Sequence, residues 1–186
     1  MLKKLAPMLA LSLVAVSTSA LADEDHAPLV FRAGIEGTAG VGVHFADTNP
    51  MISTFAAFGA RGQLGIQRGI VGACLTLDAQ SIYGPEKGVS LGLGIMNDYT
   101  FLDDHFTIGA GVGFGPRVLS GPYGTRVLGE WWPDLRIAWN PIVTAGEDNG
   151  GYRRKALVIG LDLRGVLATG SNVFFAPFAT IGYQAF

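Results

Sequence analysis

The chain has 186 residues, with 13 Lys and Arg against 15 Asp and Glu and a formal net charge of −2, a balance that argues against a nucleic-acid partner. Its length suits one domain. It is apolar on average, yet beyond its first residues it has no run of about 18 apolar positions, which excludes a helical membrane protein. A closed β-barrel with alternating strands is the membrane solution that remains.

Residues 1–22 read as a cleaved secretory signal and are set apart from the fold. Lys3 and Lys4 form a basic start, Leu5 to Val16 an apolar run, and Ala20-Leu21-Ala22 a small-x-small cleavage site. The run is too short for a membrane-spanning helix, which needs roughly twenty residues. Residues 23–28 form a tail containing His26, and 29–186 the barrel domain. Beyond the signal only Lys87 and Lys155 remain as lysines. Cys74 is the sole cysteine, so the chain has no internal disulfide, and it reads as a small packed side chain.

Alternation then recurs in eight segments. In 29–45, Leu29, Phe31, Ile35, Val41 and Val43 oppose Arg32, Glu36, Thr38 and His44. In 53–67, Ala56, Phe58, Leu64 and Ile66 oppose Phe55, Arg61, Gln63 and Gln67. In 70–83, Val71, Leu75 and Leu77 oppose Cys74, Thr76, Asp78 and Gln80. In 89–101, Val89, Leu91, Leu93 and Ile95 oppose Ser90, Gly92, Gly94 and Asp98.

The fifth segment contains "FTIGAGVGFG" (106–115), with Phe106, Ile108, Ala110, Val112 and Phe114 on one face. Thr107, Gly109, Gly111, Gly113, Gly115 and Arg117 occupy the other. In 126–139, Val127, Trp131, Leu135, Ile137 and Trp139 oppose Arg126, Glu130, Asp134 and Arg136. In 155–167, Leu157, Ile159, Leu161 and Leu163 oppose Asp162 and Arg164. The last segment, 173–186, is apolar on both faces near its start and carries Thr180 and Gln184 on its even face. Each segment exceeds the roughly 9–11 residues a tilted strand needs to cross a bilayer.

"QRG" (67–69) and "LDDH" (102–105) read as tight periplasmic turns. "DTNPM" (47–51), "YGPEKG" (83–88) and "SGPYGT" (120–125) read as longer outer loops. Parity places the long "NPIVTAGEDNGGYRR" (140–154) on the periplasmic side, and leaves the short "TGSN" (169–172) outside.

Glycine decides which face is inside. It shares the charged face at Gly34, Gly59, Gly72, Gly92, Gly94 and Gly160 as well as along the fifth strand. A narrow lumen needs small residues where long arms cross, whereas a lipocalin-type barrel would put hydrocarbon inside and charge outside. The charges on that face also nearly balance. Arg32, Arg61, Arg117, Arg136 and Arg164 stand against Glu36, Asp78, Asp98, Glu130, Asp134 and Asp162, and arginine suits buried pairing better than lysine. These eleven residues are expected to form a connected lumen network, with the glycines of the fifth strand making room for Arg32, Arg136 and their carboxylate partners. Phe45, Tyr83, Tyr99, Trp131, Trp139 and Tyr183 lie near strand ends, where a membrane barrel carries its aromatic girdles.

The chain end, "ATIGYQAF", resembles the C-terminal signature of bacterial outer-membrane proteins. Phe186 matches the terminal aromatic, and Tyr183 stands one residue beyond the usual second position, a spacing that a bulge would restore. The whole chain after the signal, 23–186, resembles the small eight-stranded outer-membrane barrels, the class of the outer-membrane protein A transmembrane domain. That resemblance implies an all-β, eight-stranded antiparallel up-and-down transmembrane barrel in the outer membrane of a Gram-negative bacterium. It implies outer-membrane lipids and lipopolysaccharide as surroundings, and the barrel-assembly machinery as a partner through Tyr183 and Phe186 of the last strand. A monomer without cofactor is expected.

Chemistry-bearing motifs are sparse. His26, His44 and His105 have no second ligand at metal-binding spacing, so no metal is expected. A lipid A deacylase needs a histidine and a serine side by side on the lipid-facing wall, but His44, Ser53 and Ser90 read as inward and no His-x-Ser occurs. The expected function is therefore a non-catalytic barrel with a side-chain-filled lumen, serving envelope structure or loop-mediated interaction. The alternatives are a narrow channel or conduit for small hydrophobic molecules, then a lipid-modifying barrel enzyme or a soluble lipocalin-like binder.

Overall fold

The computed structural model describes residues 29–45, 53–122, 124–145, 154–169 and 172–186. The signal reading of 1–22 and the tail of 23–28 fall outside these residues. Eight strands follow one another: β1 (Leu29–Phe45), β2 (Ser53–Arg68), β3 (Val71–Tyr83), β4 (Lys87–Phe101), β5 (Phe106–Gly121), β6 (Gly124–Ala145), β7 (Arg154–Ala168) and β8 (Asn172–Ala185). Each pairs antiparallel with the next, and β1 pairs with β8, so the sheet closes on itself. Among the described residues there is no helix. Short connections suffice because consecutive strands pair antiparallel, and closure leaves no free edge.

Period-two alternation sets the facing of every strand. Even positions of β1, β3, β4, β7 and β8 and of β6 as far as Asn140, and odd positions of β2 and β5, turn into the lumen and are mostly buried. Hydrocarbon covers the outside: Leu64, Leu75, Leu93, Phe114 and Val127 are all more than half exposed.

Several connections are shorter than the sequence suggested. The β2–β3 turn consists of residues 69–70, with Gly69 left-handed (φ 56°). Gly121 pairs directly with Gly124, so the expected 120–125 loop is a two-residue hairpin turn, helped by the positive φ of Gly124 (103°). The 83–88 loop shrinks to 84–86, because β4 already begins at Lys87. The 102–105 turn is tight as expected, but Leu102, Asp103 and Asp104 are all left-handed (φ 55°, 53° and 68°), which is uncommon outside glycine. The 47–51 loop lies outside the described residues.

The 140–154 connection is the main correction. β6 continues to Ala145 and β7 starts at Arg154, leaving only 146–153, which lie outside the described residues. The pattern hid this because the ladder shifts register between Trp139 and Ile142, where Asn140 and Pro141 oppose a single residue of β7. A proline cannot donate to the ladder, and a bulge is one place where a sheet accommodates it. "TGSN" is short in the structure too, since β8 begins at Asn172.

The bulge that would set Tyr183 and Phe186 on one face is absent. β8 keeps one uninterrupted register with both neighbours, from Leu167↔Val173 to Lys155↔Ala185 and on to Ala33↔Ala185. Tyr183 therefore points outward (47 % exposed) and Phe186 inward, buried at the turn end of the lumen.

Candidate functional site

The lumen gathers the expected charged residues, and all eleven are buried. Their central cluster crosses the barrel. Arg61, on β2, donates from Nε to Asp78 Oδ1 (3.1 Å), from Nη1 to Asp162 Oδ2 (2.6 Å) and from Nη2 to Asp134 Oδ2 (2.7 Å). Arg164, on β7, donates from Nη2 to Asp78 Oδ1 (2.7 Å) and from Nε to Asp134 Oδ2 (3.2 Å). In a ring of eight, β2 faces β6 and β7 faces β3. The Arg61–Asp134 and Arg164–Asp78 pairs thus join opposite walls.

Arg136 extends the cluster by a forked contact to Glu36, with Nη1 at 2.8 Å from Oε2 and Nη2 bonded to Oε1. Gln63 Nε2 also donates to Glu36 Oε1 (3.1 Å). In this cluster three guanidiniums face four carboxylates. Removing such ions from water costs several kcal/mol each, and only multiple, well-directed partners offset it. The fork of arginine supplies them.

Two further pairs flank the centre. Toward the turn end, Arg32 donates to Asp98 Oδ1 (2.5 Å) and to Gln184 Oε1 (2.9 Å). Toward the loop end, Arg117 pairs with Glu130, to which Ser90 Oγ also donates at 3.4 Å.

Sequence reasoning missed an aromatic collar at the loop end of the lumen. Phe55, Ile82, Leu119, Leu128, Trp132, Val166, Phe174 and Phe178 form one buried apolar cluster. It is tied to the charges: the Arg117 guanidinium lies 4.6 Å from the Phe174 ring centre, and the Arg164 guanidinium 4.9 Å from Phe178 and 5.6 Å from Trp132. Cation–π contact lets an arginine sit against hydrocarbon at reduced cost.

The collar also corrects the role assigned to the glycines of β5. Gly113 pairs with Trp132, and a Cβ there would lie 2.6 Å from the indole Nε1. Gly92 on β4 meets the far edge of the same ring, and a Cβ at Gly111 would be 3.3 Å from the Met96 Cβ. The strand thus surrenders side chains to Trp132 and Met96, and at Gly109 to Asp98, the partner of Arg32; a Cβ there would lie 3.0 Å from the Asp98 Cβ. Room for Arg32 is made instead by Gly72 of β3, whose Cβ would lie 2.6 Å from Arg32 Nη1. The signal for this lay in the lumen parity of Trp132, masked by its neighbour Trp131 on the outer face.

At the turn end the β4–β5 turn folds under the barrel. Asn140 Nδ2 donates to the Asp104 carbonyl (2.6 Å), Asn140 N to the His105 carbonyl (2.8 Å), and Arg154 pairs with Asp104. His105 Nδ1 contacts the Asn140 carbonyl oxygen at 2.7 Å, so it carries the proton. These contacts and Phe186 close that end.

At the loop end His44 and Ser53 are register partners on β1 and β2. The Ser53 hydroxyl lies 3.4 Å from His44 Nδ1, and the imidazole stacks on Phe174 at 4.4 Å. Both are half-buried at the rim rather than set on the outer wall. Cys74 is a buried free thiol. Among the described residues, no group of three or more His, Cys, Asp and Glu is placed to hold a metal ion.

The expected girdle aromatics all take outward positions: Phe45 and Tyr83 at the loop end with Trp131 below them, and Tyr99, Trp139 and Tyr183 toward the turn end. No protein-family model and no curated protein matches this chain. The reading of its function rests on the barrel itself.

Proposed function

We propose that this chain is a non-catalytic transmembrane barrel of the outer membrane of a Gram-negative bacterium. In this reading it serves envelope structure or loop-mediated interaction, and its lumen is a packed interior. The observation that carries the proposal is the inverted distribution of polarity: Arg61 and Asp162 sit inside with no exposed surface, while Leu75 and Phe114 stand outside more than 60 % exposed. A monomer in water does not keep so continuous a hydrocarbon wall, since exposed apolar patches beyond a few hundred Å² mark contact with a partner or a membrane. Lipid is the partner that meets a ring from every side.

The same reading accounts for the aromatics at the two ends as interfacial girdles. It takes residues 1–22 as the export signal, and lipids with lipopolysaccharide as the surroundings of a monomer. Barrel-assembly machinery would engage β8, with Tyr183 as its outward aromatic. The Arg61–Asp134 and Arg164–Asp78 crossings count against a channel, because both would have to part for a solute to pass.

Fractionation and conductance test the proposal together. The protein is expected in the outer membrane, resistant to alkaline extraction and heat-modifiable on gels, with no measurable current in planar bilayers. Recovery in the soluble periplasm would overturn the membrane reading; steady single-channel current would overturn the packed lumen and favour the conduit.

A further inference from the structure

We propose that the outer wall carries a binding groove for one anionic phospholipid, with the headgroup phosphate on Lys155 and an acyl chain lying across β8, β1 and β2. The inference rests on the membrane reading above. A groove of about 670 Å³ runs over this part of the wall, from Lys155 to Leu93. That volume falls in the range of roughly 300–1,000 Å³ typical of small-molecule sites.

The floor is made of small residues, bordered by larger side chains. Lys155 pairs with Ala185, Ala185 with Ala33, and the next row sets Gly62 beside Ile35. A Cβ at Gly62 would meet nothing within 4 Å, so the gap there opens outward and is not taken up by a neighbour. Tyr183 and Ile35 border the gap on one side and Leu64 on the other.

Lys155 is the one charged residue among those lining the groove, and it stands at one end. Lys155 is the second residue of β7, at the turn end, whereas Leu93 lies midway along β4. A cation at the barrel end and hydrocarbon toward mid-wall match a lipid whose head is acidic and whose tail points to the bilayer centre.

Lys155 is also free for this role. Every ion pair among the described residues uses arginine. Lysine's flexible stem lets its charge reach a headgroup while the methylenes stay against the wall, and its ammonium binds phosphate as a point charge.

The test combines insertion with lipid retention. Wild type, Gly62→Leu, Lys155→Gln and Lys87→Gln are refolded in detergent and offered equal phosphatidylglycerol and phosphatidylcholine, and retained lipid is read by native mass spectrometry. Insertion into phosphatidylcholine vesicles is measured separately. Wild type and Lys87→Gln are expected to retain one lipid, favouring phosphatidylglycerol by about fivefold, the effect of one lysine near an anionic surface. Lys155→Gln should retain lipid without that preference. Gly62→Leu should insert normally but lose the retained lipid.

A Gly62→Leu variant that retains lipid as wild type does, or a preference that survives Lys155→Gln, would overturn the groove. So would loss of the preference in Lys87→Gln. Wild type that inserts but holds no lipid also removes the groove and leaves the membrane reading standing. Failure of wild type to insert removes both.

Discussion

Arg61 and Asp134 meet across the full width of the barrel, Nη2 to Oδ2 at 2.7 Å, while the other nitrogens of the same guanidinium hold Asp78 and Asp162. One arginine thus serves three carboxylates from three strands. Replacing it with leucine leaves those carboxylates buried with too few cations, which should cost about 3–5 kcal/mol. Arg126, paired with Glu86 at the exposed rim, is the comparison: Arg126→Ala should stay within about 1 kcal/mol. Urea midpoints of the refolded variants give both numbers. Equal tolerance at the two sites would mean that the lumen is wet enough to solvate the aspartates.

Trp132 and Gly113 offer a paired test of the collar. Gly113→Val drives methyl groups into the indole and should destabilise by about 1–3 kcal/mol. Trp132→Ala empties the same space and should cost about 3–5 kcal/mol. Combined, the two should be less damaging than their sum by about 0.5–3 kcal/mol, because each relieves the defect of the other. Strict additivity would contradict the contact.

On the outer wall, Leu161 is 45 % exposed in the middle of β7. Under the membrane reading, Leu161→Arg should cost roughly 2–4 kcal/mol in lipid vesicles. Leu161→Ala in the same vesicles serves as the control for lost side-chain volume. Arginine accepted there as readily as alanine would mean that water, not lipid, faces the wall.

Ser53 and His44 provide the check on catalysis. The 3.4 Å contact between the Ser53 hydroxyl and Nδ1 is longer than an ordinary hydroxyl bond. An activated serine needs a base within closer reach. Incubation with a fluorophosphonate probe should leave the refolded protein unlabelled. Labelling that disappears in Ser53→Ala would make the rim an active site and end the non-catalytic reading.

Strand number, order and facing were legible because alternation is a strong signal when one face is hydrocarbon and the other charged. Arg32, Glu36, Arg61 and Asp78 could be placed inward one by one from parity. Their partners could not, since pairing depends on which strands face each other across a closed ring and at what height. Arg61 and Asp162 are separated by 101 residues. The collar was legible only in part: Phe55 falls on the polar face of β2 and the start of β8 is apolar on both faces, but nothing in the alternation joins them to Trp132 across the ring. The end of β6 was blurred by the bulge at Asn140 and Pro141, and those of β4, β5 and β6 by glycine, which reads as turn but pairs in the ladder at Gly88, Gly121 and Gly124. Phe186 was assigned from a terminal pattern, and the unbroken register of β8 turned it to the opposite face.

The hydrogen bond from Arg32 to Gln184, between residues 152 positions apart, spans the seam where β1 meets β8, and it carries a consequence for the order of events during folding. Every other neighbouring pair is joined by a connection and can zip locally; this one waits for the last strand. Until it arrives, two strands present unpaired amides and carbonyls, each costing roughly 2–7 kcal/mol in an apolar phase. Under the membrane reading, a seven-stranded intermediate thus has no comfortable resting place in a bilayer. The step is also slow, because loop closure over so long a span precedes any reward. A chain cut before β8 should accumulate as an unfolded, protease-sensitive species and not as a smaller ring, and the intact chain has to be kept extended until its final strand is available to lock the first.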